Sequence, residues 1–353
     1  MKDLFLLDPC VVYLNHGSFG ACPRSVFERY QALQRELEQE PVQFLARERG
    51  FGERFESARL RLAGHLGADP ACLAFAPNAS TALDTVARSL ALRAGDEILT
   101  GDEEYGGVML LWEFVASRSG ATIRRVPFDD IDPGLRTRVV FCSHVEWSSG
   151  RVNDVADLCR RARAAGALSI VDGAHAPGQL DLALDAIGAD VYAGNCHKWL
   201  VAPKGSGFLY ARREVQDLIE PFVVSWDWDE SSSWPDRNRW QGTRDPAAYL
   251  SVPAAIDFQA EHDWPAVRRR SRRLLEHARG RLQLEPLTDD FVQMLGFSID
   301  VEEPATLTRR LFEEHRIEVP VFETSRGWVM RVSIQAYNDE DDVEALARAL
   351  EAS

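Results

Sequence analysis

The chain has 353 residues, 45% of them hydrophobic and 27% charged, which suits a soluble globular protein with room for one large domain and a smaller one. Its formal net charge of −15 sets it against general nucleic-acid or membrane-surface binding, because phosphates would repel it. No apolar run approaches the ~20 residues that span a bilayer, and the opening Met1-Lys2-Asp3-Leu4-Phe5 lacks a signal peptide's long apolar core, so a cytoplasmic location is expected.

Taken in chain order, residues 23–40 read as an amphipathic helix, 80–92 as a second and 108–117 as a third. The middle of the chain then alternates. Residues 139–145 form a short apolar strand. Residues 152–165 look helical, with Val155, Leu158, Cys159 and Ala162 on one face, and Gly166 stops the run. Strands follow at 167–171, 190–193 and 207–210. This alternation predicts a mostly parallel sheet covered on both faces, with ligands at the carboxyl ends of its strands. Beyond about residue 250 the pattern changes. A long basic helix over 264–282, strand-like runs at 294–299 and 329–334, and helices over 305–315 and 341–350 predict a smaller α+β unit. The basic run 268–273 reads as a solvated face, because Val267, Leu274, Leu275, Ala278 and Leu282 supply an inward stripe.

The six cysteines include no CxxC pair, so buried free thiols are expected and a structural metal site is not. The lysines are more telling. There are only three, Lys2, Lys198 and Lys204, and every other basic position is Arg. An amine that must lose its proton and attack a carbonyl is the one job Arg does not do, since its guanidinium stays charged.

Three segments carry chemistry. In Phe75-Ala76-Pro77-Asn78-Ala79-Ser80-Thr81, polar residues open a helix, whose free N–H groups and dipole suit an anion or a plain N-cap. In Ile170-Val171-Asp172-Gly173-Ala174-His175, a carboxylate ends an apolar strand, where it needs a partner. A protonated pyridine nitrogen would serve, as would a metal or a helix end. In Gly194-Asn195-Cys196-His197-Lys198-Trp199, a strand delivers a lysine beside a histidine. Lys198 can form an imine with an aldehyde cofactor and His197 can hold a phosphate; the alternative is an ordinary loop lysine.

Together these segments resemble the class V aminotransferase family of pyridoxal-phosphate (PLP) enzymes, and within it the isopenicillin N epimerases. The likeness rests further on Tyr13-Leu14-Asn15-His16-Gly17-Ser18-Phe19-Gly20-Ala21-Cys22-Pro23, on Trp240-Gln241-Gly242-Thr243-Arg244-Asp245-Pro246, and on Arg316-Ile317-Glu318-Val319-Pro320 and Arg331-Val332-Ser333 near the C-terminus. The resemblance implies an α/β, aspartate-aminotransferase-like fold (fold type I). Residues 21–250 would form a large PLP-binding domain with a mostly parallel seven-stranded sheet. Residues 251–353 would form a small α+β C-terminal domain, joined by an N-terminal segment, 1–20. PLP as cofactor, an amino acid as substrate and a homodimer with shared active sites are implied as well.

By position, Lys198 becomes the Schiff-base lysine, Asp172 the partner of the pyridine nitrogen and His175 the contact to the phenolic oxygen. Asn78, Ala79 and Ser80, with Asn195 and His197, match the phosphate site. Thr243 matches a residue that reaches the phosphate of the neighbouring subunit, and Tyr105 lies near the position that stacks on the ring. Arg331 matches the grip on the substrate carboxylate, and Asn15, His16 and Gly17 lie where the N-terminal segment lines the substrate pocket. Two departures stand out. No cysteine follows Cys196, against the nucleophilic loop cysteine of the desulfurases. Trp147, in His144-Val145-Glu146-Trp147, falls where the family often has an asparagine.

The expected reaction acts at the α-carbon of an amino acid, with epimerisation first, a C–S (β-elimination) lyase or a transamination as alternatives. Epimerisation needs a second acid, for which His16, Tyr105 and His144 are the candidates. A non-catalytic scaffold is disfavoured by the intact set of Lys198, Asp172, His197 and Arg331.

Overall fold

A computed structural model describes residues 1–229 and 231–352. Its larger sheet has seven strands: β1 (Leu73–Ala76), β2 (Glu97–Gly101), β3 (Thr122–Val126), β4 (Thr137–Ser143), β5 (Leu168–Gly173), β6 (Val191–Asn195) and β7 (Gly207–Ala211). Their order is β1-β7-β6-β5-β4-β2-β3. Only β7 runs against its neighbours; the other pairs are parallel. The central strands are apolar on both sides, as a sheet covered on both faces requires. The edge strand β3, Thr-Ile-Arg-Arg-Val, is the exception and carries its arginines at the rim.

Six helices cover this sheet: α1 (Arg24–Gln39), α2 (Phe51–His65), α3 (Ala79–Ser89), α4 (Gly106–Ser119), α5 (Val155–Ala164) and α6 (Val252–Glu261). On one face α3 and α4 bury Ala82, Leu83, Val86, Val108 and Trp112. On the other, Leu33 of α1, Phe55 and Leu62 of α2, Leu158 of α5 and Ile256 of α6 share a core. Helix α6 lies beyond residue 250 yet packs on α1 and α2.

The remaining chain is α7 (Trp264–Leu282), β8 (Glu285–Pro286), β9 (Met294–Ser298), α8 (Pro304–His315), β10 (Val321–Thr324), β11 (Gly327–Ser333) and α9 (Glu340–Glu351). Its antiparallel sheet has the order β10-β11-β9-β8. The N-terminal segment joins this unit: Val12 and Tyr13 pair with Ile317 and Glu318, and Leu14 enters the small core.

Several boundaries differ from the sequence expectation for local reasons. The strand expected at 139–145 ends at Ser143, because Val145 turns away to pair with Val152. That pairing also delays α5, which starts after Asp154, whose carboxylate accepts from the Asp157 N–H as an N-cap. Helix α3 stops at Ser89, with Leu90 extended. Among the described residues, no helix is long and apolar enough to cross a membrane.

Candidate active site

The carboxyl ends of β4, β5 and β6 open into a cavity of about 340 Å³, closed on the far side by the N-terminal segment and the β10–β11 hairpin. Lys198 sits in the loop after β6, and its Nζ lies 3.1 Å from His175 Nε2. Burial, and then the nearby Arg331, lower the Lys198 pKa to about 7, while Asp172 pulls the other way. The tautomer of His175 follows from its other edge. Trp199 Nε1, a donor only, donates to His175 Nδ1 at 3.1 Å. A neutral His175 therefore carries its proton on Nε2 and donates it to an unprotonated Lys198. Burial keeps His175 neutral by pushing its pKa well below the usual range.

The loop that presents Lys198 is held tightly. Its carbonyl accepts from the Val201 N–H at 3.0 Å, and Val201 sits in the left-handed region at φ 58°, costly for a β-branched residue. The same carbonyl lies 3.1 Å from His16 Nε2. His16 Nδ1 lies 3.0 Å from the Tyr337 hydroxyl, and His16 is fully buried. Its Nε2–H therefore donates to Lys198 O, and Nδ1 accepts from Tyr337. Burial lowers the His16 pKa to about 3.

Asp172 ends β5, in register with Ser143 on β4. Its Oδ1 accepts from the Ala174 N–H at 2.8 Å, and its second oxygen makes no hydrogen bond among the described residues. Burial raises its pKa, against the Ala174 N–H and Lys198, so a cationic N–H at that second oxygen would be strongly favoured. Beside it Glu104 is a buried carboxyl. It accepts from the Ser143 N–H at 3.1 Å and from Ser143 Oγ at 2.5 Å, and burial raises its pKa to about 8.

An anion cradle lies at the other end. Asn78 caps α3, its Oδ1 accepting from the Thr81 N–H at 2.8 Å, and Asn195 Oδ1 accepts from the Ala79 N–H at 2.8 Å. His197 donates Nδ1–H to the Ser206 carbonyl at 3.0 Å, which leaves its Nε2 edge free. A Cβ on Gly207 would stand 2.9 Å from Asn78 Cα, so the turn into β7 must be glycine for α3 to approach.

Arg331 is 3% exposed and has no carboxylate within salt-bridge distance among the described residues. Its Nη1 donates to the Trp147 carbonyl at 2.6 Å and its Nη2 to Ser18 Oγ at 3.1 Å. Nε has no acceptor among the described residues. Burial lowers its pKa to about 10. A buried, uncompensated guanidinium facing a cavity is a receptor for a carboxylate.

Of the residues singled out from sequence, Asn78, Ala79, Ser80, Tyr105, Asp172, His175, Asn195, His197, Lys198, Arg331 and Gly17 line this one cavity. Asn15 and His16 lie behind it, with Asn15 Nδ2 donating to Glu318 at 3.0 Å. His144 is turned away too, its Nδ1 2.8 Å from the Tyr192 hydroxyl, and burial lowers its pKa to about 4. Thr243 is exposed and lines no part of the cavity of its own chain. No cysteine lines it either, and burial pushes the Cys196 thiol up. Sequence reading missed Ser18, Phe19, Ser143, Pro320 and Phe322, all of which line the cavity. Ser18, Phe19 and Pro320 stood inside quoted segments; for Ser143 and Phe322 no local signal distinguishes lining from core.

The family model for aminotransferase class-V matches residues 12–346. Isopenicillin N epimerase of Streptomyces clavuligerus is 42% identical, over 99% of this chain and 97% of the relative. The enzyme of the same name from Amycolatopsis lactamdurans is 40% identical, over 99% and 96%. Among solved structures, a mutant of C-DES with glycine covalently linked to its PLP cofactor superposes with a TM-score of 0.86. It is 24% identical and the match covers 99% of this chain and 98% of that one.

Proposed function

Because this chain belongs to the class V aminotransferase family, a family of PLP enzymes, we propose that it is an amino-acid epimerase of isopenicillin N epimerase type, acting at the α-carbon with PLP held on Lys198. The observation that carries the reading is Lys198: a buried amine, its pKa near 7, in one cavity with an uncompensated Arg331 and a half-bonded Asp172. The residues present fit the cofactor. Asp172 would face the pyridine nitrogen and His175 Nε2 the phenolic oxygen. The α3 N-terminus with Asn195 and His197 would hold the phosphate, and Tyr105 would cover the ring.

When bound, PLP supplies an electron sink for the pair left at the α-carbon. The chain's own residues do the rest. Arg331 fixes the substrate carboxylate and so aims the Cα–H bond. Lys198, its pKa lowered to about 7 so that the neutral form is well populated at that pH, takes the α-proton through Nζ. His175, its Nδ1 held by Trp199, would turn its Nε2–H from Nζ to the phenolic oxygen once the cofactor is bound, which leaves the Nζ lone pair free for the α-proton. Epimerisation also needs a donor on the other side. Of the three candidates, His16 and His144 are committed to Tyr337 and Tyr192 behind the cavity, while Tyr105 lines it. Tyr105 returns the proton, and the high identity to two proteins named epimerases supports that outcome over elimination.

The test is direct. Borohydride reduction of the PLP-loaded protein should add the cofactor mass to the peptide containing Lys198. Chiral chromatography of amino-acid substrates should then show interconversion of L and D forms, abolished in Lys198→Ala and in Tyr105→Phe for the inverted product. Pyruvate with released thiol, or a keto acid, in place of the D form would replace the epimerase with a lyase or a transaminase. A protein that takes up no PLP would remove the enzyme reading.

A further inference from the structure

One side of the cavity is aromatic, and its residues come from four separate parts of the chain. Phe19 belongs to the N-terminal segment, Tyr105 to the loop after β2, Trp147 to the loop after β4 and Phe322 to β10. Trp147 is the centre of this wall. Its ring lies 4.4 Å from Phe322 at 33° and 6.0 Å from Tyr105 at 75°, edge to face. Its carbonyl is the acceptor for Arg331 Nη1, so the wall and the carboxylate grip share one residue.

Buried acid stands behind that wall. Ser148 Oγ donates to Glu103 Oε2 at 3.3 Å, which ties the Trp147 loop to the segment after β2, and Ser149 Oγ donates to Glu146 Oε2 at 2.5 Å within the loop. Glu103 and Glu146 are each 5% exposed, and Glu104 lies close to both Glu146 and Asp172. The cations facing this group are Arg326, with Nε 3.6 Å from Glu103, and Arg151, which also pairs with Asp129. Neither lines the cavity, where Lys198 and Arg331 are the only Lys or Arg among the described residues of this chain.

We propose that Trp147 determines specificity here: with Phe19, Tyr105 and Phe322 it forms an aromatic wall that selects α-amino acids with long, uncharged, apolar side chains and rejects a side-chain carboxylate. This deepens the α-carbon reading above and rests on it. Ring faces are negative and apolar, so they welcome methylene groups and repel an anion. A second carboxylate would lie against the Trp147 and Phe322 rings, with buried acid beyond and no further cation among the described lining residues of this chain's cavity to meet it; Phe19 and Tyr105, 69% and 46% exposed, form the open side of the wall.

The experiment measures α-proton exchange in D2O by NMR for the PLP-loaded protein, with norleucine, methionine and phenylalanine against aspartate, glutamate and 2-aminoadipate. A second readout is the dissociation constant of each amino acid for Lys198→Ala, titrated by absorbance without turnover. Long neutral substrates should exchange roughly 100-fold more efficiently than dicarboxylates, the scale of one well-discriminated side-chain group. Dissociation constants should rank the same way. Trp147→Ala should narrow the preference about tenfold or more, and Trp147→Phe, which keeps an aromatic face, should retain most of it. Aspartate or glutamate exchanging as fast as norleucine would overturn the proposal, as would a Trp147→Ala protein with its preference intact. If no amino acid exchanges although Lys198 has taken up PLP, the α-carbon reading falls first and this inference with it.

Discussion

At Lys198 two causes act in the same direction and one against. Burial disfavours the ammonium most, Arg331 adds repulsion, and Asp172 partly offsets both. The sign of the pH dependence follows. Nucleophilic attack on PLP needs the free amine, so the rate of cofactor attachment should rise with pH and level off above about 7. Stopped-flow absorbance on the cofactor-free protein would read this midpoint. Arg331→Met removes a charge that lowers the pKa, so the midpoint should move up; Asp172→Asn removes the charge that raises it, so the midpoint should move down. A midpoint near the ordinary lysine value of 10.5 would mean that Lys198 is solvated. The same shift has a thermodynamic face. Between 10.5 and about 7 the unfolded chain binds the proton and the folded one does not, so lowering pH through that window removes stability.

At the scale of the element, the loop from Asn195 to Ser206 is held by residues distant in the chain, His16 and Gly20 among them. Gly20 shows how. It sits at φ 71°, and a Cβ there would stand 2.1 Å from the His197 carbonyl oxygen and 3.0 Å from Lys198 Cα. Gly20→Ala should cost about 3 kcal/mol in urea unfolding, from backbone strain plus a clash with rigid backbone. It should also slow PLP attachment, because relief of the clash moves Lys198. A change within 0.5 kcal/mol would show that the loop yields. This loop also marks how far sequence reaches. Strands β4 to β7 are legible as apolar runs because both faces are buried, and Lys198 and Asp172 stand out because charged groups end those runs. Strand β3 escapes direct reading, since Thr-Ile-Arg-Arg-Val at an edge has neither run nor clean alternation. Four-residue β1 is too short for periodicity to decide. His16 and His144 illustrate the limit for side chains. Their residue type suits an acid, but whether they face cavity or core depends on Tyr337 and Tyr192, which are 321 and 48 residues away.

At the scale of the whole molecule, the surface between β7 and α6 has an unusual composition for a chain this acidic. Val224, Trp226 and Trp228 are 66%, 73% and 49% exposed, and Thr243 further along the same connection is exposed as well. Apolar side chains gathered on one connection call for a partner surface. The family resemblance supplies one, a second copy whose phosphate site receives Thr243. The prediction is a dimer by light scattering with sites shared between subunits, and a mixing experiment decides it. Lys198→Ala lacks the attaching amine. Thr243→Ala keeps the amine but should hold PLP more weakly. In a dimer containing one of each, the site with an intact Lys198 receives an intact Thr243 from across the interface, while the other site carries both defects. Co-expressed, differently tagged subunits isolated as the mixed dimer should therefore regain one tight PLP site per dimer. If Thr243 served its own chain, the mixed dimer would bind no better than Thr243→Ala alone. A monomer in light scattering would remove the shared site altogether and leave the exposed tryptophans to another partner.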